Sequence, residues 1–150
     1  MGKMPPIEKI YEAYSAVADS RVQMTADAEA HIRSSGGEKE YTVTWDGDTY
    51  FSNDSASYWQ GYPGYPVIAV LMLQGRLPLN RQIAALFSGV NWSALNKKYR
   101  RNYAKAAVEV LAAIEANGGD VAAITAEIER VYEEIRELSI TIRRGPKKQR

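Results

Sequence analysis

The stretch Arg21-Val22-Gln23-Met24-Thr25-Ala26-Asp27-Ala28-Glu29-Ala30-His31-Ile32-Arg33 alternates throughout, with Val22, Met24, Ala26, Ala28, Ala30 and Ile32 on one side. Period two is the signature of a strand. The composition pulls the other way, since Ala, Asp and Glu are poor strand formers. The flanking residues decide. Ser34-Ser35-Gly36-Gly37 reads as a turn, and pairing Arg33 with Glu38 sets Ala30 opposite Tyr41, Ala28 opposite Val43 and Ala26 opposite Trp45. Asp46-Gly47 is a preferred two-residue hairpin turn. It sets Trp45 opposite Asp48, Val43 opposite Tyr50 and Tyr41 opposite Ser52. Both hairpins place the same residues of the middle strand on one face, and each alanine meets a larger side chain. The reading is a three-stranded antiparallel meander.

Before the meander, Ile7, Ile10, Tyr11, Tyr14 and Val17 follow Pro5-Pro6 at helical spacing, and this helix ends near Asp19-Ser20. Proline is well placed at a helix start, where its missing N–H costs nothing. After the meander, residues 52–55 supply cap chemistry, and a short buried helix spans 66–74 until Gly75 and Pro78 stop it. Asn80 caps a further short helix carrying Ile83, Leu86 and Phe87. The remainder reads as a long helical hairpin. Trp92, Leu95, Tyr99, Tyr103, Ala106, Val110 and Ile114 form one stripe, capped by Asn91. Asn117-Gly118-Gly119-Asp120 breaks it and caps the next helix, on which Val121, Ile124, Ile128, Val131, Ile135 and Leu138 form the second. The expected fold class is therefore α+β, with an N-terminal helix, the meander and about four helices. Residues 1–140 are expected to make a single domain and 141–150 a basic, disordered tail.

Composition narrows the function classes. The chain has 150 residues, 45% of them apolar, and a formal net charge of +1, so no global field draws nucleic acid, membrane or acidic substrate. There is no cysteine, which excludes thiol chemistry, disulfides and the usual structural zinc sites. The longest apolar run, residues 67–73, is too short to span a bilayer. A cytoplasmic protein without cofactor or membrane partner is the expectation.

Six aromatic residues stand out as a candidate ligand or partner site. Trp45 and Tyr50 share a sheet face, and Tyr58, Trp59, Tyr62 and Tyr65 lie on a loop punctuated by Gly61, Pro63, Gly64 and Pro66. Rings on a rigid turn either close a core or line a pocket for a flat ligand or a peptide. The even stripe of the last helix suggests self-association as a homodimer through Val131, Tyr132, Ile135 and Leu138. A nucleic-acid reading rests on the tail cations Arg143, Arg144, Lys147, Lys148 and Arg150 together with exposed aromatics. The basic run Arg100, Arg101 and Lys105 is discounted, because an antiparallel hairpin would set it level with Glu133, Glu134 and Glu137. A third reading, a hydrolase-like enzyme, places a carboxylate site at Asp46, Asp48 and Asp54 with His31 beside Glu40. No catalytic residue and no metal ligand is assigned, since turn and cap chemistry accounts for these acids. A non-catalytic protein acting through binding or self-association is the favoured expectation.

Overall fold

The computed structural model of the chain describes residues 2–145. It is α+β: one helix, a five-stranded sheet and further helices. The order runs α1 (Lys9–Ala18), β1 (Val22–Ala26), β2 (Glu29–Arg33), β3 (Glu40–Asp46), β4 (Thr49–Ser52) and a π-helical turn (Ala56–Gln60). Then come α2 (Tyr65–Leu73), α3 (Arg81–Ala85), α4 (Trp92–Lys98), α5 (Tyr103–Ala116), α6 (Val121–Glu137) and β5 (Thr141–Arg144). The sheet order is β1-β2-β3-β4-β5, antiparallel except for the parallel β4–β5 pair.

The expected strand over residues 21–33 is two strands. The chain reverses at Asp27-Ala28, where Ala28 holds φ +61°, and Ala26 pairs with Glu29. The left-handed conformation is unfavourable for alanine, which is why no turn is legible there. A two-residue turn alone would swap odd and even positions, but a bulge between Met24 and Ala26 restores the parity, so Met24 pairs with Ala30 and Val22 with Ile32 and the alternation survives. The registers also slide. Arg33 pairs with Glu40, Ala30 with Val43, and Trp45 with Tyr50, each two residues from the expected partners. A slip of two leaves every side chain on its face. Ala30, Ile32, Val43 and Tyr50 accordingly all point into the core.

Helix α1 packs against α2, α3 and α6, and α2 lies across the sheet. Every residue of α1 from Lys9 to Val17 is buried. Ser15 Oγ donates to the Phe87 carbonyl at 2.7 Å and accepts from Trp92 Nε1 at 2.7 Å, which ties α1 to the turn after α3 and to α4. The Asn80, Asn91 and Asp120 caps form as expected, accepting from Ile83 N, Ala94 N and Ala123 N at 3.0, 3.0 and 3.1 Å.

Two further expectations are corrected. The first helix of the hairpin is broken: Arg100 and Arg101 hold φ of +53° and +67°, and Asn102 caps a new helix by accepting from Lys105 N at 3.2 Å. That bend removes the expected pairing with α6. Lys98 instead meets Glu109 at 2.8 Å, while Glu127 and Glu133 pair within α6 with Arg130 and Arg136. The basic tail begins later than residue 141, because Thr141–Arg144 add to the sheet beside β4. Its short, charge-rich stretch gives little strand signal and is held by backbone pairing, including Thr141 N to Asp48 O and Gly145 N to Ser52 O, both 2.9 Å. Lys147, Lys148 and Arg150 lie outside the described residues. Of the residues proposed for self-association, Val131 and Ile135 are fully buried within the chain, and Tyr132 Oη donates to the Pro5 carbonyl at 2.7 Å. Leu138 is half-buried.

Candidate functional site

The aromatic loop owes its shape to a buried knot beneath it. Asp54, 4% exposed, accepts from Ser52 Oγ through one carboxylate oxygen and from Ser57 N at 3.1 Å through the other. Ser57 Oγ in turn accepts from Gly64 N at 3.2 Å. These bonds fasten both ends of the loop to the end of β4. Gly64 is required by the close approach, since a Cβ there would sit 2.0 Å from Asp54 Oδ2. Gly64→Ala is therefore expected to cost about 1–3 kcal/mol by overpacking. Urea unfolding would check it. Gly36→Ala, whose Cβ would meet only ordinary contacts at 3.5–3.6 Å, serves as the comparison.

Over this knot opens a cleft of about 710 Å³ between the aromatic loop, α1, the β2–β3 turn and the α4–α5 bend. Trp59, Tyr62 and Tyr65 line it, as do Tyr41, Trp92 and Tyr103 from the sheet and the bend. Tyr65 stands edge-on to Tyr41 with ring centroids 6.3 Å apart. Burial pushes both phenols above the ordinary tyrosine value, so they are neutral hydroxyls at physiological pH. Trp59 is 59% exposed at the rim. Its ring lies 4.7 Å from that of Tyr58 and 5.4 Å from the Arg144 guanidinium, and Arg144 Nε donates to the Tyr58 carbonyl at 2.9 Å. An exposed cation–π contact is worth about 0.5–1 kcal/mol, enough to bias the Trp59 rotamer without locking it.

The inner wall holds a buried ion pair that the sequence reading missed. Lys9 Nζ lies 3.3 Å from Glu12 Oε2, with residue exposures of 9% and 6%. The same ammonium sits 4.0 Å from the centroid of the Tyr103 ring. Asn96 Nδ2 reaches Glu12 Oε1 at 3.5 Å. Burial pushes the Glu12 carboxyl above its ordinary range, although Lys9 and Asn96 pull it down. Burial acts to lower Lys9, but the Glu12 carboxylate and Tyr103 outweigh it and hold the ammonium above its usual value. Two polar atoms in this wall, Asn96 Oδ1 and Arg21 Nε, are buried without a hydrogen-bond partner. An unsatisfied buried group costs about 1–3 kcal/mol, so this wall is polar beyond what folding needs.

The electrostatics favour an anion. Four basic side chains line the cleft, Lys9, Arg21, Lys39 and Arg101, against the two acids Glu12 and Asp54. Both acids are committed internally, Glu12 to Lys9 and Asp54 to its knot. Arg21 is partly matched by Asp19 at 3.9 Å. Lys39 and Arg101 are exposed and form no ion pair among the described residues. Arg101 is presented by the left-handed pair Arg100-Arg101, a conformation costing about 1–3 kcal/mol per residue of the kind that clusters at functional sites.

The remaining candidates lie elsewhere. Trp45 and Tyr50 stack at 6.1 Å away from the cleft, where Tyr50 Oη donates to Gln74 Oε1 at 2.6 Å and accepts from Arg76 Nη1 at 3.0 Å. The acids of the second hairpin do not converge: Asp48 pairs with Arg76 at 2.9 Å, while Asp54 is drawn into the cleft floor. His31 meets Glu29 at 2.9 Å and Thr42 Oγ1 at 3.3 Å on the sheet. Among the described residues, no three histidine or acidic side chains group as a metal site would need, and no helix is long and apolar enough to cross a membrane.

The chain belongs to the family described as Uncharacterised conserved protein UCP014422, which it matches over residues 2–141. No curated protein and no solved structure matches it.

Proposed function

We propose that this chain is a non-catalytic binding protein whose ligand is a small anionic molecule bearing a flat ring, held in the cleft under the aromatic loop. The observation that supports it is the meeting of six aromatic side chains with the unpaired cations Lys39 and Arg101 in one cavity. Rings alone would suit core closure, and cations alone a solvated surface. Together they fit a ligand with a planar part and a charged part. The cavity volume lies within the range of small-molecule sites. The cytoplasm is the setting we infer, with which a chain free of cysteine is compatible.

The test is calorimetric titration with the four nucleoside 5′-monophosphates, each compared with its nucleoside and with inorganic phosphate. At least one monophosphate is expected to bind saturably and at least tenfold more tightly than either half. Arg101→Glu and Lys39→Glu, both exposed, should each weaken it about tenfold or more, equivalent to about 1.4 kcal/mol. Failure of every monophosphate to bind would overturn the proposal. So would affinity indifferent to both charge reversals.

A further inference from the structure

The cleft does not end at the β2–β3 turn. A second hollow of about 660 Å³ adjoins it and shares Ser34, Lys39, Tyr41 and Ser93 as lining. The shared residues make the two hollows one trough that turns around the contact between Ser35 and Ser93, whose hydroxyls lie 3.1 Å apart. The two ends differ in chemistry. The first is walled by aromatic rings. The second has one ring, Tyr41, and is dominated by Lys39, Lys97 and Lys98 against the single acid Glu38. Lys98 is drawn to Glu109 at 2.8 Å, whereas Lys97 forms no ion pair among the described residues. Along the trough, cations without acidic partners therefore recur at Arg101, Lys39 and Lys97, with rings beside the first two.

From this arrangement, and resting on the reading of the cleft given above, we infer that the ligand is single-stranded nucleic acid, with one base in the aromatic cleft and the next phosphate in the second hollow beside Lys39 and Lys97. Alternation of stacking faces with cations is the chemistry by which proteins hold single strands without reading sequence. A mononucleotide would fill only the aromatic end and leave Lys97 without a counter-ion. The rim supplies a further stacking face, since Trp59 is exposed and Arg144 lies against it. Double-stranded nucleic acid is not expected to enter, because its bases are stacked on each other and unavailable to the rings.

The experiment compares a thymidine monophosphate, a 5′-phosphorylated thymidine dinucleotide and an oligo-dT octamer by fluorescence titration of wild-type protein and Lys97→Glu. The dinucleotide is expected to bind at least tenfold more tightly than the monophosphate. Lys97→Glu should erase that gain while leaving the monophosphate affinity unchanged. Its binding should also fall less steeply with salt, by about 0.7 in the log–log slope for the lost phosphate contact. An octamer tighter than the dinucleotide supports a strand as the source. An octamer no tighter overturns the strand and leaves a free dinucleotide as the only form of this chemistry. Equal affinity for mono- and dinucleotide would overturn the inference and leave the mononucleotide reading of the cleft standing. Absence of binding by all three, together with failure of the four monophosphates, would overturn both. Lys97 is exposed near the end of a short helix, so its replacement leaves the fold intact.

Discussion

Ile135→Asp is expected to unfold the chain, with a loss of at least about 5 kcal/mol by urea denaturation. Ile135 is fully buried on α6, in line with Ile124, Ile128 and Val131. Removing an isoleucine from such a site costs about 2–5 kcal/mol through lost burial and the cavity left behind. A carboxylate placed there adds a desolvation penalty. Total stabilities of domains this size are about 5–15 kcal/mol, so the variant should show little cooperative transition. The outcome matters for association as well as stability. If α6 were the seam of a homodimer, the same substitution would release a folded monomer of 16.7 kDa. A soluble, folded, monomeric Ile135→Asp protein with a native far-UV spectrum would support the self-association reading and contradict the packing of α6.

Legibility in the sequence divides along physical range. Helix caps at Asn80, Asn91 and Asp120 are local, since a side chain two or three residues away satisfies the first free N–H groups, and they are readable. Faces of the sheet are readable because parity survives a slip of two residues. Register is not, because it depends on turn geometry that Ser34-Ser35-Gly36-Gly37 leaves open. The reversal at Asp27-Ala28 and the break at Arg100-Arg101 are invisible for a shared reason. Each uses the left-handed region without glycine, so tertiary packing imposes what local preference opposes. Strand β5 escapes notice because an edge strand held by backbone bonds needs few apolar residues.

The site was half legible. A run of rings among glycines and prolines marks Trp59, Tyr62 and Tyr65, and the structure brings these three to one cleft. Tyr58 stays at the rim against Trp59 and Arg144, while Trp45 and Tyr50 belong to a separate cluster with Gln74 and Arg76. Lys9 and Glu12 carry no warning. At i and i+3 on an amphipathic helix they read as a solvated face, and only Tyr103 and Asn96, more than eighty residues later, cover them. Glu8, Glu12, Ser15 and Asp19 fall on one side of this helix, opposite Ile10, Tyr14 and Val17, so local periodicity points that side to solvent.

Lys9→Met tests whether that buried pair is a working part of the wall, and its effect should depend on pH. With the ammonium gone, Glu12 remains buried with only the Asn96 amide and the charge of Arg21 to oppose desolvation. Breaking a buried pair by removing one partner costs about 3–5 kcal/mol, because the other charge is left uncompensated. That figure applies near neutral pH, where an unfolded chain ionises Glu12 freely. The folded-state pKa of Glu12 is already raised by burial and should rise further in the variant. Between the unfolded and folded values, the native state then holds more protons than the unfolded state, so stability falls as pH rises through that window. Stability is fully retained below the unfolded value, near the ordinary glutamate range. The gap between Lys9→Met and wild type should thus be widest at pH 7–8 and narrow towards pH 4.5. The double variant Lys9→Met/Glu12→Gln removes the titrating group and should flatten the profile, recovering much of the loss at neutral pH. A gap that stays constant across the range, or a double variant no more stable than the single one, would mean that Lys9 acts through packing on Tyr103 alone. In that case the Lys9–Glu12 pair would add no charge-dependent stability to the inner wall.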